Sequence, residues 1–151
     1  MKTALKKYLG SRAVIFGAIL AGSLLFNASA QAAEKSDDQV KIPATSEAVW
    51  QLIDKEAEQL AALIQASKYE EVHHHAFAIR DLVAALPSRS GSLPPEKIAL
   101  IKTNSKYVAT LADRLDATGD AKDKAGTESN FQKLKAVLKT ILANYPDSTK
   151  K

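Results

Sequence analysis

SEAVWQLIDKEAEQLAALIQASKYEEVHHHAFAIRDLVAAL, residues 46–86, is the stretch whose reading decides the fold. Trp50, Ile53, Ala57, Leu60 and Ile64 recur at alternating spacings of three and four. At about 100° of rotation per residue, such spacing lines them up as one apolar seam on a helix. Tyr69, Val72, Ala76, Ile79, Val83 and Leu86 form a second seam of the same kind. Between the two, Ser67-Lys68-Tyr69-Glu70 has the form of a capping box, with Ser67 capping the Glu70 amide and Glu70 reaching back. The stretch therefore reads as two helices, over about 46–66 and about 68–86. The competing reading is one helix from 46 to 86.

Downstream, Pro87-Ser88-Arg89-Ser90-Gly91-Ser92 reads as a loop. A third helix is expected from Pro94-Pro95, since proline is tolerated in a first turn, with Glu96 suiting the helix dipole. Its seam is Ile98, Ile101, Ser105, Val108, Ala112 and Leu115, and Gly119 reads as its C-terminal stop. Asp120 is then the cap of a fourth helix over about 121–144, with Thr127, Phe131, Leu134, Leu138, Ile141 and Tyr145 on its seam and Pro146 at its end. Gly126 weakens the first turns of that helix by about 1 kcal/mol relative to Ala. No strand pattern is present. Four amphipathic helices with short links predict an all-α fold, an antiparallel up-down-up-down four-helix bundle over residues 45–146, with a tail at 147–151.

Upstream lies a polar, aperiodic lead-in at 31–44, and before it a stretch that reads as a cleaved signal peptide at 1–30. Lys2, Lys6, Lys7 and Arg12 make a basic start, Ala13 to Phe26 an apolar run, and cleavage is expected after Ala30 or Ala32. An uncleaved anchor is the alternative. Four of the 21 Lys and Arg residues lie in that segment and none of the 17 Asp and Glu does, so the remaining chain is formally neutral. The usual inference from basic charge to nucleic acid or membrane therefore lapses. Periplasmic localisation is expected, with no membrane span in the mature chain; a Gram-positive secreted protein is the alternative. The chain has no cysteine, which excludes thiol redox chemistry, cysteine metal sites and covalent haem attachment.

The chemically pointed cluster is His73-His74-His75, preceded by Glu70 and Glu71. On a helix the three rings fan over about 200°, so they do not all reach one ion. The pairs Glu70/His74 and Glu71/His75, each four apart, suit a divalent transition metal, copper or zinc, because imidazole and carboxylate donors share a face. A third ligand has to come from another helix, the N-terminal segment or a second copy. The plain alternative is that these are surface and boundary histidines; a pH-responsive role is a third reading. Glu56, Arg80, Asn104 and Asn130 sit near the seams, where a polar pair fixes helix register. Trp50, Tyr69, Phe131 and Tyr145 read as core, and Lys133, Lys135 and Lys139 as a solvated face. No nucleophile–base spacing is recognisable, so no enzyme activity is expected.

The helix lengths, the proline-containing loop after the second helix, the Gly119-Asp120 link and the Leu142-Ala143-Asn144-Tyr145 ending resemble the periplasmic four-helix bundles of the cytochrome b562 and cytochrome c-prime type. That resemblance implies the bundle fold but not the haem. The Cys-x-x-Cys-His of cytochromes c-prime has no counterpart in Lys139 to Tyr145. The Met and His ligands of cytochrome b562 are also missing, because the only Met is Met1 and the last helix has no His. Non-covalent haem on His73 is a remote reading. Two functions follow: a metal-binding protein of periplasmic homeostasis or resistance using His73, His74, His75, Glu70 and Glu71, or a non-enzymatic accessory protein with structural histidines. In the second reading Phe77, Leu82, Leu100 and Leu111 are candidates for a partner-binding patch.

Overall fold

The computed structural model describes residues 40–146. The expected export signal, most of the lead-in and the C-terminal tail lie outside the described residues. The elements are α1 (Ser46–Gln65), a 3₁₀ turn (Tyr69–Glu71), α2 (Val72–Arg89), α3 (Pro95–Asp120) and α4 (Lys124–Leu142). Among the described residues there is no strand, and no helix is long and apolar enough to cross a membrane.

Thr45 starts α1, its Oγ1 accepting from the Ala48 amide at 3.3 Å, with Glu47 in the first turn. The expected break at Ser67 is present, and its mechanism differs from the sequence reading. No side-chain cap precedes the 3₁₀ turn. Instead Ser67 takes a left-handed conformation, φ 58°, and ends α1 from behind. Its amide donates to Ile64 O at 3.1 Å and that of Lys68 to Leu63 O at 2.9 Å, a Schellman closure. The capping box is thus corrected to a C-terminal cap, and the single helix over 46–86 is excluded.

The same closure ends α3. Lys122 has φ 51°, its amide donating to Gly119 O and that of Asp123 to Thr118 O, both at 2.9 Å. Gly119 is therefore not the stop. It lies inside α3 and is buried, and a Cβ there would stand 2.6 Å from both Tyr69 O and Val72 Cγ2. Glycine lets α3 approach the 3₁₀ turn. The cap of α4 shifts accordingly from Asp120 to Asp123, whose Oδ1 accepts from the Gly126 amide at 3.0 Å.

Pro87 is the third correction, since α2 runs through it to Arg89. A proline in a last turn leaves only its own missing bond to Val83 O. Serine hydroxyls serve the neighbouring carbonyls, Ser88 Oγ donating to Ala85 O at 2.8 Å and Ser90 Oγ to Leu86 O at 2.6 Å.

All four helices contribute to one apolar core. The expected seams are in it: Ile53, Leu60, Val72, Ile79, Val83, Leu86, Ile101, Leu115, Leu134 and Ile141 are fully buried. Each such aliphatic side chain contributes about 1.5–3 kcal/mol. α2 packs on α1 and α3, α3 on α4, and α1 meets α4 more lightly. Leu82 and Leu111, offered above as surface candidates, are buried and widen the core; Phe77 packs partly against it. Leu100 is exposed, as is Tyr107.

One polar chain closes the core. The Ser90 hydroxyl proton goes to Leu86 O, so the Tyr145 hydroxyl donates to Ser90 Oγ, 2.5 Å away. The Tyr145 ring meets Trp50 edge-on at 5.7 Å. Burial pushes the Tyr145 phenol up from its ordinary value, partly opposed by Ser90 and by the nearby Trp50 indole. The indole N–H is buried and makes no hydrogen bond of good geometry.

Candidate metal site

The histidines occupy the first turn of α2, immediately after the 3₁₀ turn that carries Glu70 and Glu71. His74 is exposed, while His73 and His75 are half-buried on its two sides. That order of exposure is the one expected of three successive helical residues, although the first two rings come together. The rings of His73 and His74 lie 3.9 Å apart and tilted, and His73 also meets Phe77 edge-on at 6.3 Å.

His75 is held from α1. Its Nδ1 lies 2.6 Å from Glu56 Oε2, with the side chains 24% and 15% exposed. An ionised carboxylate only accepts, so Nδ1 carries the proton and Nε2 is left as the basic nitrogen. Glu56 was legible as a polar residue beside the seam, but its partner was not, because the sequence leaves the rotation of α1 against α2 open. The other polar candidates turn inward on their own helices or on neighbours. Arg80 Nε bonds Asp81 Oδ1 at 2.8 Å and its guanidinium lies 4.5 Å over the Phe77 ring. Asn104 donates to Leu100 O within α3, and Asn130 reaches Arg114 O at 3.4 Å.

The carboxylates face cations. Glu71 Oε1 lies 3.5 Å from Lys68 Nζ, and Glu70 Oε2 3.9 Å from Lys122 Nζ, all well exposed. Such pairs contribute little and exchange readily. Among the described residues no three His, Asp or Glu side chains gather into a group sized for a metal ion. Glu70 and Glu71 lie in the 3₁₀ turn just ahead of the helix that carries the histidines. The structure adds a pairing that the sequence did not single out, Glu56 with His75, joining two helices. A groove of about 490 Å³ lies elsewhere, between α1 and α4, floored by Ile64 and Phe131, and includes none of these residues.

No protein-family model matches the chain, and no curated protein or solved structure matches it.

Proposed function

We propose that this chain is an exported, non-enzymatic helical protein that binds a divalent transition metal, copper or zinc, at the start of α2. It then acts as a buffer or carrier in periplasmic metal homeostasis or resistance. One observation carries the reading: the 2.6 Å contact between Glu56 Oε2 and His75 Nδ1. Histidine ligands characteristically donate their second ring nitrogen to a carboxylate, which fixes the tautomer and raises the basicity of the ligating nitrogen. Glu56 is that positioning carboxylate and His75 Nε2 the ligand. His74 and His73, with Glu70 and Glu71 released from their lysines, complete a partial donor set of imidazole and carboxylate. That set suits zinc and copper and is poor for harder ions.

The finer architecture belongs to the same proposal: an antiparallel up-down-up-down bundle, a haem-free relative of the cytochrome b562 type. Lys97 Nζ donates to Asn144 O at 3.3 Å, which supports opposite directions for α3 and α4. The approach of Gly119 to Tyr69 and Val72 supports the same for α2 and α3.

The test is copper and zinc titration of the tag-free protein beside Glu56→Gln and a triple His→Ala variant of residues 73–75. Binding is expected to weaken about 10- to 100-fold in Glu56→Gln and to vanish in the triple variant. Wild-type affinity in the triple variant refutes the reading. It would leave the histidines structural, with the chain an accessory protein whose surface does the work; the exposure of Leu100 and Tyr107 favours that second reading.

A further inference from the structure

α3 is the longest of the four helices, and its outward face carries an ordered pattern of its own. Glu96, Leu100, Thr103, Tyr107, Thr110 and Arg114 follow one another at spacings of four, three, four, three and four. That is the heptad rhythm of a helix seam, and it spans about 27 Å at 1.5 Å per residue. It is distinct from the buried seam of the same helix. All six residues are exposed, Leu100 by 53% and Tyr107 by 59%.

The two threonines do not make this stripe polar. Thr103 Oγ1 donates to Ala99 O at 3.0 Å and Thr110 Oγ1 to Lys106 O at 3.1 Å. With the hydroxyls bonded to their own helix, the methyl groups remain as the outward contact surface. The stripe is therefore Leu, Thr methyl, Tyr and Thr methyl, with one charge at each end. Those charges are opposite, and neither Glu96 nor Arg114 is in an ion pair among the described residues.

We propose that this face is the site of an isologous contact with a second copy of the chain, two α3 helices crossing antiparallel. The observation that chooses the occupant is the symmetry of the stripe about the level of residue 105. Turning a second copy end for end sets Glu96 against Arg114, Leu100 against Thr110 and Thr103 against Tyr107 of the other copy. Each pairing occurs twice, as a two-fold axis requires. A parallel arrangement would instead set Glu96 on Glu96, Arg114 on Arg114 and the two tyrosines on each other. Lys106 flanks the seam near the axis, so its two copies repel and keep the association weak. With two large apolar side chains per copy, the dissociation constant is expected between ~10 µM and ~1 mM. This inference is independent of the metal reading.

The experiment is sedimentation velocity of the purified protein from micromolar concentration to about 1 mM, with thermal melts to verify that each surface variant is folded. Wild type is expected to show a monomer–dimer equilibrium. Glu96→Arg alone and Arg114→Glu alone each create like-charge ends and should weaken it about tenfold or more. Mixing those two variants restores both pairings, so the mixture should dimerise as wild type does. Lys106→Ala should tighten the dimer about threefold. A wild-type monomer at 1 mM overturns the proposal and leaves the stripe to a different protein. A dimer indifferent to both charge reversals overturns it equally.

Discussion

Replacing Gly119 by Ala tests the close approach of α3 to the 3₁₀ turn. In an isolated helix the change would stabilise, by about 1 kcal/mol. Here the new methyl would stand 2.6 Å from the Tyr69 carbonyl oxygen and 2.6 Å from Val72 Cγ2. The first of these is backbone and has no rotamer to escape into. It is also already the acceptor for the Val72 amide that joins the 3₁₀ turn to α2. Overpacking of this kind costs about 1–3 kcal/mol. Because the clash is with main chain, the upper half of that range applies, and after the propensity gain a net loss of about 1–2 kcal/mol is expected. In a domain of this size that lowers the midpoint of thermal unfolding by roughly 5–15 °C. Circular dichroism at 222 nm, in heat and in urea, reads it directly. Gly91→Ala is the control, since a Cβ there meets nothing within 4 Å; it should be neutral or slightly stabilising. A Gly119→Ala protein as stable as wild type would refute the reasoning, by showing that α3 stands off from the turn.

Two further outcomes follow from the caps and the polar chain. Lys122→Gly removes a non-glycine residue from a left-handed site, φ 51°, and should stabilise by about 0.5–1 kcal/mol in urea unfolding; the exposed contact to Glu70 that it loses is worth little. Tyr145→Phe should flatten the alkaline limb of the stability profile. The folded-state phenol is raised by burial, so above the ordinary value of 10.0 the folded protein holds a proton that the unfolded chain gives up. Wild-type stability is therefore complete below pH 10 and falls as pH climbs beyond it. In the variant that fall should be smaller, after a loss of about 1 kcal/mol at neutral pH for the hydrogen bond to Ser90. An unchanged alkaline limb, followed by urea midpoints at stepped pH, would show that another group controls it.

The helices were legible because apolar spacing is a strong, redundant signal: every seam position of α4 is buried, and so is nearly every one in the other three. Punctuation was less so. Ser67-Lys68-Tyr69-Glu70 satisfies the pattern of a cap before a helix, yet the same serine closes the helix before it. Short polar residues serve both ends, and only backbone φ tells them apart. Gly119 was read as local punctuation when its reason lies about fifty residues away, in the carbonyl of Tyr69. Leu82 and Leu111 looked peripheral because a strict three-and-four seam is narrower than the stripe a helix buries between two neighbours. For the candidate site, the exposure of His74 between the half-buried His73 and His75 was predictable from helix geometry, whereas the meeting of the His73 and His74 rings was not. The Glu56 contact needed the relative rotation of α1 and α2, which long-range packing decides.

The Ser90–Tyr145–Trp50 junction also bears on timing. A chain is made from its N-terminus onward, and the pairings of α1 with α2 and α2 with α3 involve neighbours in sequence that form early. The groups that join α1 and α2 to the far end of the fold wait for Tyr145, near the last described residue. The first helix is thus sealed by one of the last described residues, so a chain shortened before residue 145 would lose the ring that packs on Trp50.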